Sequence, residues 1–508
     1  MRDIFPKLRG TALITITVFT CGISFTLFGY DQGLMGGILP SQNLLDILGH
    51  PGATMQGLVT SVYDIGCAFG AVIAFLISEP LGRKRSFIYS IIVVIIGAAI
   101  QTASYSFVQM TIARVIAGLG IGCMTVAVPI IQSECLPAHL RGTLMVVQGA
   151  LIIVGIAVAN WVCLGTHFAG GEFQWRFPVA VQLLFCFLTL GFSGFIPETP
   201  RWLAKHGKIE EAREILSRIN DKELDHPVVQ AQLDEILENI AAESEMGEPT
   251  WAEVWSNNNK TRNLQRVLLG TGPYMMNQWS GINSVTYYMP FILTTYLNYS
   301  DIEALVLAGA AFSQFAFFST LPFLYFDKIG RRKTVMASSA GCAICMAVIA
   351  GLLSTSYADA YVAASVAFIF IYLAVFALGI MPTSWSYTAE IEPLRVRNKA
   401  QAVGVFWHWM ANFVVVMVTP VGMQNLGGRY FAIWAAVCAL FVPIVYFFYV
   451  ETAGRTLEDV DRLFIEKKRI LMGLDKEATM VVRKNRAQAD AEYEAKAMAH
   501  EKQDIVEA

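Results

Sequence analysis

A chain of 508 residues with 55% hydrophobic but only 15% charged side chains excludes a soluble globular protein, which would carry nearer ~25% charged residues. The net charge of −3 is small, so the placement of charge matters more than its sum, and no nucleic-acid partner is expected. The nine cysteines lie almost entirely in apolar segments with no metal-like spacing. Cys342-Ala-Ile-Cys345, inside one such segment, reads as packing rather than redox chemistry. No nucleophile elbow, zinc spacing or phosphate-cradling loop occurs, so neither an enzyme nor a cofactor is expected.

Hydropathy predicts about twelve membrane spans, since ~20 apolar residues cross a bilayer. The first six run near 11–35, 54–78, 86–107, 108–134, 142–165 and 176–196. The first apolar run is too long for a cleavable signal and lacks a small-residue cleavage site, so it reads as a span. A polar stretch from Arg201 to Arg262 follows, with helical charge patterning at Ile209 to Leu216 and at Ala231 to Ile240. The second six spans run near 266–296, 302–326, 334–354, 360–389, 399–421 and 429–450. The fold expected is all-α and membrane-embedded, with domains 1–200, a helical linker 201–263, 264–453 and a polar tail 454–508.

Lysine and arginine collect in the even-numbered connections, at Arg83-Lys84-Arg85, the whole linker, Arg331-Arg332-Lys333 and Arg395 to Lys399. By the positive-inside rule both termini are cytoplasmic. Two sequons follow from this: Asn298-Tyr-Ser300 falls on the non-cytoplasmic side and is available for glycosylation, whereas Asn259-Lys-Thr261 is silent.

The two sets of spans repeat one another. Glu79-Pro-Leu-Gly-Arg83-Lys recurs as Asp327-Lys-Ile-Gly-Arg331-Arg; Glu134, Pro137 and Arg141 recur as Glu390, Pro393 and Arg397; Glu198-Thr recurs as Glu451-Thr. Topogenic charge alone explains the bases but not the matched acids. Carboxylates and guanidiniums facing one another at helix ends can pair bidentately. If they pair only when the cytoplasmic side is closed, these ten charged residues form a lock that biases one conformer of a two-state machine.

The seventh span is anomalous. From Asn277 to Tyr288 it reads Asn-Gln-Trp-Ser-Gly-Ile-Asn-Ser-Val-Thr-Tyr-Tyr, and Gly281 and Pro290 interrupt it. Amides at membrane depth are costly unless they face protein or a water-filled cavity. Spans broken by Gly and Pro at matching places in two halves point to a binding site; here these are the first with the seventh and the fourth with the tenth. Gly118-Leu-Gly-Ile-Gly122 in the fourth is a helix-packing pattern, not a dinucleotide loop.

With Phe28-Gly-Tyr-Asp31, Gly82-Arg-Lys, Arg114, Glu134 to Gly142, Pro197-Glu-Thr-Pro-Arg-Trp202, Gln278 to Tyr288, Gly330-Arg-Arg, Trp385 to Glu390 and Glu451-Thr-Ala-Gly-Arg455, the chain resembles the sugar-porter branch of the major facilitator superfamily over roughly residues 11–465. It is most similar to fungal monosaccharide and polyol transporters of the glycerol–proton symporter kind. Glu79 stands for the usual aspartate and Ala453 for the usual lysine.

The resemblance implies the major facilitator fold, two pseudo-symmetric six-helix halves with a mid-membrane substrate site opened alternately to each side, in a multi-pass plasma-membrane protein, a monomer in the bilayer. It implies direct substrate contacts at Gln278 and Asn283, a further one at Asn277, an aromatic face at Trp385 with Trp409 as neighbour, and an external aromatic gate at Tyr287 and Tyr288. An amide both donates and accepts, which suits a polyhydroxylated substrate; amides that merely bond neighbouring helices are the alternative.

Three departures separate the chain from typical hexose carriers: Gln148-Gly149 replaces a Gln-Gln pair, His408 stands for a small amide, and Ala377 for a frequent glutamate. His408 either titrates in the transport cycle or is a neutral histidine bonded to a neighbouring helix. Asp31, an acid inside the first span, must be paired or protonated, with Arg114 the obvious partner, and the resemblance implies a proton-coupling role for the two. The function expected is proton-coupled symport of a sugar or polyol; a facilitated-diffusion uniporter, a non-transporting nutrient sensor and a specialised-metabolite permease are the alternatives.

Overall fold

The structure is a computed structural model and describes residues 8–482, apart from 137, 246, 248, 259–260, 356–357 and 468, and the side chains of 138–146, 242–243, 245 and 457–458. Asn259, Pro137 and Arg141 therefore lie outside the described residues. Among the described residues there are helices and turns and no strand.

Ten helical segments are long and apolar enough to cross a bilayer. The first six spans are Gly10–Ile38, Ala53–Leu81, Arg83–Thr102, Phe107–Cys135, Ala138–His167 and Phe173–Ser193. The eighth to tenth are Asp301–Thr320 continued by Pro322–Ile329, Arg331–Thr355, and Asp359–Leu378 continued by Ile380–Ile391. The last apolar segment holds two helices, Arg397–Leu426 and Tyr430–Phe448. The seventh span completes twelve but is split into Asn263–Trp279, Ile282–Thr286 and Met289–Thr295. Gly281 adopts φ +86° at the first break, a conformation that favours glycine, and Pro290 sits in the first turn of the last piece.

The expectation that the first and fourth spans are also broken is corrected. Both are continuous helices, and their glycines serve close approach instead. A Cβ on Gly29 would lie 1.8 Å from the Ile152 carbonyl oxygen, and one on Gly155 lies 2.1 Å from that of Thr26, so the first and fifth spans meet backbone to backbone. Gly118 and Gly122 bring the fourth span equally close to Tyr63 and Cys67 of the second. Small residues permit such packing where lipid supplies no hydrophobic drive between helices. Gly29→Ala is expected to prevent assembly, read as loss of monodisperse protein in detergent, whereas Gly191→Ala, with open space around it, leaves assembly unchanged.

The halves meet where the second span packs on the eleventh and the fifth on the eighth. At the charge-poor rim the contact is tight: a Cβ on Gly36 would lie 2.5 Å from the Tyr287 carbonyl oxygen, and one on Gly57 2.5 Å from that of Met417.

The linker forms Pro200–Lys205, Ile209–Asn220, Pro227–Glu245 and Trp251–Val254. Its helices dock on the N-terminal half through Arg9 to Ser217 and Lys205 to Glu79. On the other side Arg395 and the Thr250 capping box hold the Glu253 carboxyl down at about 2. Beyond Glu451, residues up to 482 pack on the C-terminal half rather than trailing free: Phe464 and Met472 are buried, Arg332 donates to the Gly473 carbonyl, and Val482 N–H donates to Ala453.

Candidate functional site

The break after Trp279 turns the polar side chains of the seventh span toward the eleventh. Gln278 Nε2 lies 2.8 Å from His408 Nε2, Asn283 Nδ2 donates to Gln278 Oε1 and, at 2.6 Å, to Asn412 Oδ1. Asn277 Nδ2 donates to Ser384 Oγ at 3.1 Å. Gln278, Asn283 and His408 are all buried and all line a small cavity of about 70 Å³.

Asn277, Gln32, Thr286 and Trp385 line the same cavity. Trp385 packs edge-on to Tyr274 at 5.0 Å and lies 5.6 Å from His408. The amides and His408 come from the seventh and eleventh spans, and Gln32 from the first. The lining contributed by the fifth span, Gly149, Ile152, Ile153 and Ile156, is apolar, as are Phe315 of the eighth and Phe376 and Met381 of the tenth. Gln148 is buried but does not line the cavity; Gly149, one residue on, does. Trp409 also stays behind the wall, edge-on to Phe28 at 5.3 Å and Tyr63 at 6.4 Å.

Tyr287 and Tyr288 are fully buried at the charge-poor end of the cavity. Tyr288 donates to the Val416 carbonyl at 3.1 Å, and Tyr287 to Asp64 Oδ1 at 3.2 Å. Asp31 and Arg114 meet as expected: Nη1 lies 2.9 Å from Oδ1, both side chains are 1% exposed or less, and the guanidinium also donates to the Thr60 carbonyl and sits over the Tyr63 ring.

Gln32, Asn412 and Asp64 of this polar core carry no expectation from the sequence. Asn412 lies four residues after His408, on the same helix face, and an amide inside an apolar span was signal enough. Asp64 is an acid in the otherwise apolar run from Val59 to Ser78, and intramembrane acids mark function by default.

A family described as sugar (and other) transporter matches residues 16–464. The chain belongs to that family. It is thus a transporter and not an enzyme. The MFS-type transporter oryC of Aspergillus oryzae is 36% identical over 482 residues, which cover 93% of this transporter and 89% of the relative. Sugar transporter STL1 of Saccharomyces cerevisiae is 29% identical over 89% of this chain and 80% of its own. The xylose transporter XylE from E. coli, in a partially occluded inward-open conformation, superposes with TM-score 0.74 at 23% identity, covering 88% of this chain and 100% of that one. The twelve-helix major facilitator fold is therefore shared.

The transporter's internal repeat is visible in space at its basic rim. Glu198 accepts from the backbone N–H groups of Arg83 and Lys84, and Glu451 from those of Arg331 and Arg332. Each acid thus reaches back to cap the N-terminus of an earlier span of its own half, the third or the ninth, where unpaired N–H groups and the helix dipole favour an anion. Gly82 and Gly330 turn the chain there with φ +94° and +95°, and a Cβ on either would lie 2.4 Å from the capping carboxylate.

Arg83 pairs with Glu79 at 2.7 Å and lies 3.9 Å from Glu134; Arg331 pairs with Asp327 at 2.5 Å and bidentately with Glu390 at 2.8 and 3.2 Å. Arg397 donates instead to the Glu392 carbonyl. Among the described residues, every one of these pairs joins helices of the same half. In this conformation the clusters brace each half internally, with the side chain of Arg141 outside the described residues.

Proposed function

We propose that this transporter carries a sugar or polyol through the cavity between its halves by alternating access, in symport with protons. The observation that carries the reading is the amide chain His408–Gln278–Asn283–Asn412 at the seam of the halves, where each amide offers a donor and an acceptor to substrate hydroxyls. Relatives named as a sugar transporter and a galactose transporter, and a neighbour named as a proton:xylose symporter, support it. Substrate takes over the hydrogen bonds that the amides now make with one another. Trp385 supplies an aromatic face, and Tyr287 and Tyr288 form the outer gate. Asp31–Arg114 serves coupling, since an acid that gains or loses its proton changes what holds the first span to the fourth.

In this reading residues 1–200 and 264–453 rock as two rigid bodies, each braced by its rim cluster and joined by the 201–263 linker. The basic rim faces the cytoplasm with both termini, in a plasma-membrane monomer. Asn298 is exposed on the opposite side and carries glycan there. The apolar lining supplied by the fifth span favours, as a second reading, a specialised metabolite with fewer hydroxyls than a hexose.

Counterflow in proteoliposomes with glycerol, other polyols, pentoses, hexoses and disaccharides tests the substrate class. Exchange of at least one member is expected, accompanied by substrate-induced alkalinisation of the medium that Asp31→Asn abolishes. Uptake indifferent to pH and uncoupler overturns symport, and binding without flux indicates a sensor. Glycosidase treatment is expected to shift the mobility of wild type and not of Asn298→Gln.

A further inference from the structure

Asp64 lies in the second span, fully buried, and the amide chain ends on it. Its Oδ1 accepts from Asn412 Nδ2 at 2.9 Å and from the Tyr287 hydroxyl at 3.2 Å. Its Oδ2, also buried, has no hydrogen-bond partner among the described residues. The titratable and charged groups that face it are Arg114 of the fourth span, Asp31 of the first, Tyr287 and Tyr288 of the seventh, and Cys67 of its own helix, with Asn412 from the eleventh. The one cation in this set, Arg114, is already bonded to Asp31.

Two buried carboxyl groups thus share the neighbourhood of one guanidinium. An unpaired carboxylate at membrane depth costs several kcal/mol and takes up a proton instead. The bonding pattern leaves one oxygen free for that proton. A carbonyl-like Oδ1 receives two donors on its two lone pairs, which leaves Oδ2 as the atom that bears the hydrogen.

Tyr287 and Asn412 come from the C-terminal half and Asp64 from the N-terminal half, so these bonds cross the seam. They do so at the charge-poor end of the cavity, beside the close approaches at Gly36 and Gly57.

We propose that Asp64 is a proton-operated latch of the outer gate. When the gate stands open, water reaches the side chain and the carboxylate ionises, releasing one proton to that water. Closure requires one proton to return from the outer solution to Oδ2, after which Tyr287 and Asn412 can pack over the neutral acid. Acid outside therefore promotes closure over bound substrate. Because Asn412 bonds both Asp64 and Asn283, the latch also reads whether the amides are engaged with substrate. The inference rests on the transport reading above but concerns a residue outside the cavity and outside the Asp31–Arg114 pair.

The test has two arms on the full chain in lipid. The first is pH-difference infrared spectroscopy without substrate. Wild type is expected to show the carbonyl band of a protonated carboxylic acid, lost in Asp64→Asn and displaced in Asp64→Glu. An unchanged band in either variant overturns the proposal, and the Glu variant serves if the Asn variant does not fold. The second arm is the outer-pH profile of the apparent KM in counterflow, using whichever panel compound exchanges. KM is expected to rise with outer pH in wild type, and the profile to flatten in Asp64→Asn while Asp64→Glu restores a slope. An Asn variant with the wild-type profile overturns the latch. If no compound exchanges in wild type, the transport reading fails, and the infrared arm still decides the state of Asp64.

Discussion

Arg114→Leu is expected to destabilise the N-terminal half by ~3–5 kcal/mol, the usual cost of removing one partner of a buried ion pair, and to stop transport altogether. The reason is the completeness of the burial: Arg114 is 0% and Asp31 1% exposed, so the carboxylate left behind can neither hydrate nor find another cation among the described residues and must take up a proton at a cost. The guanidinium also holds the Thr60 carbonyl and lies 4.6 Å from the Tyr63 ring centre, which ties the second span to the first and fourth. The double variant Asp31→Asn with Arg114→Leu removes both charges and is expected to recover most of the stability, though not the coupling. Thermal unfolding of the purified variants checks this. A single variant as stable as wild type, or a double variant less stable than either single one, contradicts the arrangement.

The second large effect concerns the amide chain. Asn283→Leu deprives both Gln278 Oε1 and Asn412 Oδ1 of their donor. A substrate hydroxyl that meets leucine in place of Asn283 is left unsatisfied in the buried complex, at ~1–3 kcal/mol, or about one to two orders of magnitude in affinity at ~1.4 kcal/mol per tenfold. Gln278→Leu is expected to act similarly, since it removes a partner from both His408 and Asn283. Because the three amides and the imidazole form one chain, the Gln278→Leu, Asn283→Leu double variant should lose much less than the sum of the single losses. Counterflow KM values for the four proteins give the cycle directly. Strict additivity means that the residues act separately and that the chain is not a unit.

These expectations draw on different depths of information. The twelve spans, the repeat of six and six, and the clustering of acid and base at one rim were legible because bilayer thickness imposes a length and composition that hydropathy reads directly. Asp31 with Arg114 was legible for the same reason, since two opposite charges at membrane depth have few ways to persist. The amides of the seventh span stood out as polar groups in an apolar context.

Glycine was the ambiguous letter. In the seventh span Gly281 breaks the helix, whereas Gly29 and Gly118 allow two unbroken helices to touch; a missing Cβ permits either, and only the neighbour decides which. The acids at the basic rim were equally two-sided. Their repeated spacing spoke for pairing, but whether the pairs cross between halves or stay within one depends on where helix ends converge, and they stay within.

By itself, then, the sequence determined that this protein spans a membrane twelve times in two related halves, belongs to the sugar-porter pattern, and buries an ion pair and a set of amides. Those follow from the cost of polar groups in lipid, which acts residue by residue. Only the tertiary structure decided that the amides of the seventh span join Asn412 and end on Asp64, that Gln148 lies off the cavity, and that one wall is apolar. Those facts arise from contacts between residues such as Asp64 and Asn412, 348 positions apart, which no local pattern encodes.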